Sequence, residues 1–402
     1  MQFGTCDYLK LAASNHERPC NKSESAHTSA SRSRERATFL FPSRAQNPGS
    51  KPYGSSADTF LRLIAMSGQS KQDDKSIKLG LQLMENQAEG LRRHIQVDEL
   101  YFSGKSAFQE NAVVKTTTFG RALFMDKQIQ SSEIDELPAT LIDSFIYHES
   151  LVKPAMTLHS NPKRVFIGGG GEFATAREVL KYKSVEECVM VDIDEEACKI
   201  CIKELPTWHD GCIEDKRLKV IYGDAFKYLY ECKEKFDVVI MDIADPVEAG
   251  PGYKLYTKEF YCQVADNILN EGGLLVTQST ACDVLNGNKS FATIHNTLKS
   301  AFDNVFPYRA FIVSFGGPWG FNLAWRSHKS LPNKPTDIST DEIDKRISER
   351  HEKKAKDTKF YDGETHQGIF NLPKHIRKFM KDCSQVSTIE NPCYMEYGAL
   401  ET

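Results

Sequence analysis

Four acidic side chains, Glu172, Asp192, Asp224 and Asp242, each follow a short apolar run. A carboxylate so placed can hold an ammonium, accept from hydroxyls or take a proton. Glu172 comes after Val165-Phe166-Ile167 and the turn Gly168-Gly169-Gly170-Gly171. Glycines there let the backbone bend sharply and approach a ligand closely where a strand feeds a helix. A dinucleotide site would present helix N–H groups to a pyrophosphate at this point, and Glu172 would repel it, so the expected ligand is not a phosphate. Asp192, in Val191-Asp192-Ile193-Asp194, lies about 20 residues beyond the glycines, where an acid accepts from both hydroxyls of an unphosphorylated ribose. Asp224, in Gly223-Asp224-Ala225, is placed to accept from an adenine amino group. Asp242 opens Asp242-Ile243-Ala244-Asp245-Pro246, facing the same crevice, and Asp245 can bind an amine of a second substrate. Any one aspartate taken alone also reads as a helix N-cap, and Asp245 as a loop residue before proline. Capping does not explain the whole set at successive strand ends.

The elements that must position these acids follow from the pattern between Lys163 and Arg326. Uniformly apolar runs at 164–168, 188–192, 218–222, 236–241 and 273–277 read as parallel strands covered on both faces. Helical stretches lie between them at 174–183, 195–205, 257–270 and 290–301, which predicts a Rossmann-like, doubly wound α/β sheet over 161–327. Before it, 77–160 reads as a small antiparallel β domain, with alternating runs from Leu100 to Glu136, followed by a helix over 139–152 closed by Pro154. Residues 328–402 read as a charged linker and a docked tail carrying Asp362-Gly363-Glu364-Thr365-His366. Residues 1–76, rich in Ser, Arg, Pro and Gly, read as a disordered leader. Their Ser/Arg bias also suits an organelle transit peptide, a signal diluted by Asp7, Glu17, Glu24 and Glu35.

Composition narrows the class. The chain carries 51 basic and 55 acidic residues among 402, a net charge of -4, so no global field draws it to nucleic acid or an anionic membrane. No apolar run approaches the roughly 18 residues that span a bilayer, and the 11 cysteines are scattered rather than paired in a loop-rich scaffold. A soluble cytoplasmic protein with reduced thiols is the expectation. Cys198-Lys199-Ile200-Cys201 lies inside a predicted helix with no second pair nearby, so it reads as structural rather than zinc-binding. His209, His295 and His366 have no ligand spacing, and Lys353-Lys354-Ala355-Lys356 reads as a solvated helix face.

The acid positions resemble those of the seven-stranded methyltransferase group, whose ligand is an adenosyl sulfonium. The combination of GGGE, the acidic second strand, GDA and D-x-A-D-P with a downstream Gly-Pro is more narrowly similar to the polyamine aminopropyltransferases, the spermidine and spermine synthase family. Within that family, Glu172 to Glu178, Leu255-Tyr256-Thr257-Lys258 and Trp319-Gly320-Phe321 most resemble the thermospermine synthases of plants and related eukaryotes. The similarity covers about residues 95–326. It implies that Gln109, the glycine turn, Glu172, Asp192, Asp224, Ala225 and Pro251 bind decarboxylated S-adenosylmethionine, a co-substrate rather than a resident cofactor. It further implies that Tyr147 and His148 line the acceptor channel, that Asp242 is the catalytic acid residue, that Asp245 binds an acceptor amine, and that the chain forms a homo-oligomer, dimer or tetramer.

The chemistry agrees with that assignment. Glu172 would repel the carboxylate of the intact donor and so selects the decarboxylated one. A polyamine is mostly protonated at neutral pH, so an acid at the attack site must take or relay a proton, and no metal is called for. Phe315, where the resemblance leads one to expect a tyrosine, and Trp319 offer apolar surface to the methylene stems of a longer acceptor, which favours spermidine over putrescine and thermospermine as product. Both rings also read as ordinary core aromatics. A methyltransferase leaves Glu172 and D-x-A-D-P unexplained, and a degenerate homologue that only binds a polyamine or a partner subunit fits poorly with an intact acid set.

Overall fold

In a computed structural model of the chain, the described residues are 62–64, 80–133 and 144–395, apart from 89, 249, 288 and 353–357. Most of the expected leader and the basic run at 353–356 therefore lie outside the described residues. Within the leader, however, β1 (Arg62–Ile64) pairs antiparallel with β2 (Gly80–Ala88), a strand where none was expected.

The first sheet continues through β3 (Leu91–Lys105), β4 (Glu110–Thr116), β5 (Gly120–Met125) and β6 (Gln128–Ser132), each antiparallel to the one before. Beyond β1, its strands run from Gly80, well before the expected Leu100, because Leu81-Gln82-Leu83 and Ile95-Gln96-Val97 already alternate apolar with polar. Leu83, Ile95, Val114, Ala122 and Phe124 form its core.

Helix α1 (Ser144–Leu158) follows, and Pro154 sits inside it rather than closing it. A proline there deprives the carbonyl four residues earlier of its helical donor. That carbonyl belongs to Ser150, and the buried Tyr308 phenol donates to it at 2.8 Å, so the helix runs on for another turn.

The second sheet contains β7 (Arg164–Gly169), β8 (Glu187–Asp192), β9 (Leu218–Tyr222), β10 (Phe236–Asp242), β11 (Leu269–Ala281), β12 (Asn304–Ile312) and β13 (Gly317–Trp325), in the spatial order β12-β13-β11-β10-β7-β8-β9. Between them lie α2 (Ala174–Leu180), α3 (Glu195–Glu204), α4 (Pro206–His209), α5 (Ala225–Glu231), α6 (Lys258–Gln263) and α7 (Ser290–Leu298). The five apolar runs are the parallel strands expected of them. The β12–β13 hairpin adds two antiparallel strands at one edge. Each parallel strand packs on both faces: Val165, Ile167, Cys188, Met190, Val238 and Ile240 enter one core, and Phe166, Val189, Val191, Val239 and Met241 the other. The helix expected over 257–270 stops at Gln263 and passes through a π-helical turn, Val264–Ile268, into β11.

The stretch read as a charged linker folds instead. Helix α8 (Thr340–Arg350) is capped by Ser339 and buries Ile343 and Ile347 against the main core, while Arg346 and Arg350 donate to carbonyls at the end of α1. Helices α9 (Gly363–Ile369) and α10 (Lys374–Asp382) complete the tail. Just before α9, the backbone N–H groups of Lys359, Phe360 and Tyr361 donate to the buried Glu149 carboxylate on α1 at 2.9, 2.9 and 2.7 Å. Burial, with Glu178 nearby, pushes the Glu149 carboxyl above the usual range.

Removing the phenol hydroxyl should expose the cost of Pro154. Tyr308→Phe leaves the Ser150 carbonyl buried without that donor and is expected to destabilise the protein by about 1–3 kcal/mol. The measurement is the urea midpoint of the variant against that of the parent. An unchanged midpoint would show that α1 tolerates the proline without help.

Candidate active site

The order of the second sheet reverses between β7 and β10, since the chain runs outward through β8 and β9 before returning to β10. Gly169 and Asp242 are paired across that seam at the carboxyl ends of the two strands. Gly169 and Gly170 have φ of 78 and 75°, and a Cβ on Gly169 would stand 2.1 Å from the Asp242 carbonyl oxygen. A Cβ on Gly171 would stand 2.8 Å from the Asp192 carboxylate. The glycine turn is therefore required by its positive φ angles, by the Asp242 backbone and by the Asp192 carboxylate packed against it.

Asp242 receives two hydroxyl donors: Tyr147 Oη reaches Oδ1 at 2.8 Å and Thr175 Oγ1 reaches Oδ2 at 2.5 Å. Burial pushes its carboxyl above the usual range; His148 opposes the rise, Glu172 adds to it, and the two hydroxyls oppose it. Burial and Asp242 push the Tyr147 phenol well above its ordinary value, so it remains a donor. Glu172 meets the next residue of α1, with His148 Nε2 at 2.8 Å from Oε1, and Ser131 Oγ donates to Oε2 at 3.2 Å. Burial disfavours the charged form of His148, but Glu172 and Asp242 outweigh it and raise its pKa. Trp208 Nε1 donates to Ser131 Oγ at 3.0 Å and fixes that hydroxyl.

Asp192 accepts from the Asp194 N–H at 2.8 Å, and its carboxyl is pushed up to about 6 by burial, against hydrogen bonds from the Asp194 and Gly171 backbone. Beside it opens a cleft of about 450 Å³ lined by Phe108, Ile193, Asp194, Tyr222, Gly223 and Asp224. Gln109 lies in the loop before β4 rather than in a strand, and its Nε2 donates to Asp194 Oδ2 at 3.0 Å. Ser106 Oγ donates to the same oxygen at 2.6 Å. Asp224 caps α5, accepting from the Phe226 and Lys227 N–H groups, while lining the cleft. The capping alternative thus holds for Asp224 without removing it from the site. Ala225 is the buried first residue of α5, and Pro251 begins a 3₁₀ turn.

Asp245 Oδ1 accepts from Gln278 Nε2 at 3.0 Å. Gln278 also donates to the Ile243 carbonyl at 2.7 Å, and its Oε1 accepts from Trp319 Nε1 at 3.1 Å. Trp319 and Phe315 are half-buried, with ring centroids 4.8 Å apart, and Phe315 stands 5.7 Å from Tyr147. The two rings pack as core aromatics do and also border the acid site. Thr175, Ser131, Asp194 and Gln278 were not singled out in the sequence. The signal for Gln278 was the polar run Thr277-Gln278-Ser279-Thr280 ending an apolar strand; Ser131 and Thr175 give no comparable signal. Cys198 and Cys201 are buried free thiols, their pKa values raised mainly by burial. His366 lies buried between the Tyr361 hydroxyl and the Pro335 carbonyl, and His295 hydrogen-bonds Asn322.

The family model described as the spermine/spermidine synthase domain matches residues 144–335, and the spermidine synthase tetramerisation domain matches 83–133. A polyamine aminopropyltransferase of Saccharolobus solfataricus is 40% identical over 300 residues, which cover 74% of this chain and 93% of that one. The chain belongs to the spermidine/spermine synthase family. Another relative, polyamine aminopropyltransferase 2 of Hyperthermus butylicus, is 37% identical over 300 residues, covering 75% of this chain and 92% of its own. As an aminopropyltransferase of this family it moves an aminopropyl group from decarboxylated S-adenosylmethionine to a polyamine. A crystal structure of spermidine synthase with the transition-state analogue AdoDATO superposes with a TM-score of 0.65 at 25% identity, covering 78% of this chain and 98% of that one. The fold is shared by spermidine synthase of Thermotoga maritima, with a TM-score of 0.64 at 24% identity, covering 78% and 97%. Among the described residues of this aminopropyltransferase, no helix is long and apolar enough to cross a membrane.

The perturbed Asp192 gives a pH test. Its folded pKa lies above the unfolded value, so it favours folding most at pH below the ordinary aspartate range, and that contribution is lost as pH rises through about 6. Asp192→Asn, which cannot ionise, should stabilise the ligand-free enzyme at pH 8 by an amount on the order of 2 kcal/mol, read as a higher melting midpoint, and match the parent near pH 4. A variant less stable than the parent at pH 8 would contradict the assigned cause.

Proposed function

We propose that the acceptor is spermidine and the product thermospermine, with Asp242 as the proton acceptor of the transfer. The observation that carries the site assignment is Asp242 itself: a carboxylate at the β7/β10 seam, oriented by Tyr147 and Thr175, with Glu172 beyond the same glycine turn. The donor lies with its ribose on Asp192, its adenine toward Asp224 and Ala225, and its primary ammonium on Glu172. Gln109 acts through Asp194 at the rim, Gly169, Gly170 and Gly171 pass beneath the sulfonium, and Pro251 borders the methylthio side. His148 stands on Glu172 from the acceptor side.

The acceptor nitrogen attacks the propyl carbon attached to sulfur. The C–N bond forms as the C–S bond breaks, its electron pair stays on sulfur, and neutral methylthioadenosine leaves. Asp242 takes the proton that the protonated acceptor nitrogen must lose before it can attack, and the product amine carries the positive charge that sulfur gives up. The site contributes in-line positioning and negative charge around two polycations. Asp245, held by Gln278, takes a second amine of the acceptor, while Phe315 and Trp319 cover its methylene stem. That apolar wall supports the longer acceptor over putrescine. A homo-oligomer assembled through the first sheet, acting in the cytoplasm, completes the reading; it is supported by the match of 83–133 to the tetramerisation domain.

Incubation with decarboxylated S-adenosylmethionine and spermidine should release methylthioadenosine and give thermospermine on chromatography. Spermine as product would move the attacked nitrogen, and turnover with putrescine alone would make the enzyme a spermidine synthase. Asp242→Asn should lower kcat by about 10²–10⁴-fold while donor affinity by calorimetry stays within a few-fold. Retained turnover would remove Asp242 from its role. Glu172→Gln should narrow the affinity gap between decarboxylated and intact donor, and an unchanged gap would count against Glu172 as the selector.

A further inference from the structure

Phe315 belongs to the connection Val313–Gly316 between β12 and β13, and it packs at once against the core of the first sheet and the main core. No other aromatic bordering Asp242 or Asp245 among the described residues is shared by both cores in this way. The next residue, Gly316, has φ of 78°, and a Cβ there would stand 2.9 Å from Arg93 Nη1 and 3.5 Å from Gln87 Oε1. The first sheet therefore meets the turn through one guanidinium and one amide.

That guanidinium is fixed from behind. Glu85 is buried, and its Oε2 accepts from Arg93 Nε at 2.9 Å, from Arg93 Nη2, and from Gln87 Nε2 at 2.9 Å. Its Oε1 accepts from the Ile129 N–H of β6 at 3.0 Å. A planar fork engaged through two nitrogens leaves the third, Nη1, in a set position, which a lysine would not reproduce. We infer that the Glu85–Arg93 pair is a specificity-determining device: by abutting Gly316 it sets how far Phe315 reaches toward Tyr147 and Trp319, and thereby the length of acceptor that fits. Arg93 is a positioning residue, acting through the turn without touching substrate. The inference rests on the reading of Phe315 and Trp319 as the acceptor wall.

Steady-state kinetics of the full chain with spermidine and with putrescine test both layers. Arg93→Met and Gly316→Ala disturb the contact from opposite sides, the first removing the stop and the second pushing against it. Each is expected to change the ratio of kcat/KM for spermidine to that for putrescine by about tenfold, through acceptor KM, with donor KM within about twofold of the parent. Arg93→Lys should resemble Arg93→Met rather than the parent. A merely structural role predicts lower active-enzyme yield with the ratio intact, and that result overturns the inference. Should Arg93→Met fail to fold, Arg93→Lys, which keeps the charge and loses the fork without straining the Gly316 backbone, decides the outcome. Phe315→Leu separates the layers. If it shifts the ratio while the Arg93 and Gly316 variants do not, the pair has no such role and the wall stands. If Phe315→Leu leaves the ratio unmoved, the wall itself is wrong and the inference falls with it.

Discussion

Carboxylates crowded around one glycine turn are the constraint on which the rest of this molecule depends. Glu172, Asp192 and Asp242 stand close enough that the Glu172 charge raises the Asp242 carboxyl and the Asp242 charge raises that of Asp192, and both of these aspartates are half-buried. Without a ligand cation such a cluster is electrostatically unfavourable, and it persists because each member is held by donors from elements that would otherwise have no reason to meet. Two hydroxyls reach Asp242, an imidazole and a hydroxyl reach Glu172, and backbone N–H groups reach Asp192. The same unfavourable field suits a cationic donor and a cationic acceptor, whose charges supply what the free protein lacks.

Helix α1 supplies much of that support from consecutive positions. Tyr147 serves Asp242, His148 serves Glu172, and Glu149 binds the chain before α9. One turn further along, Lys153 pairs with Glu178 of α2 at 2.8 Å with both side chains fully buried. A buried pair of this kind adds little net stability, yet losing one partner would strand the other charge, so it fixes α1 against α2. Helix position and acid position are thereby tied together, and small shifts of α1 would move two donors at once.

Much of this was legible in the sequence. Short apolar runs ending in acids gave the parallel strands and their order of use, because strands buried on both faces need uniformly apolar residues, and the chemistry collects at their carboxyl ends. What escaped notice depended on distant partners. Pro154 reads as a helix stop until Tyr308 is seen to satisfy the Ser150 carbonyl. The residues of α8 read as a charged linker because its apolar positions are few, although Ile343 and Ile347 are enough to dock it. The resemblance puts Gln109 at the donor side, whereas its direct partner in the structure, Asp194, looks locally like a helix cap and is one. Ser131 and Thr175 carry no local signature at all, since a hydroxyl becomes informative only when the carboxylate it faces is known.

The bond between Glu149 and the chain at 359–361 spans 210 to 212 residues of sequence. During synthesis, a ribosome would release α1 and both sheets long before the N–H groups that occupy Glu149 existed. Until then the Glu149 carboxylate, adjacent in sequence to His148 and Tyr147, lacks the three N–H donors that hold it, so the sheets can form before the surroundings of α1 are complete. A segment made more than 200 residues after α1 thus completes the surroundings of the helix that carries Tyr147 and His148. Contacts of such long range form late in folding, after the local strands and helices that they join.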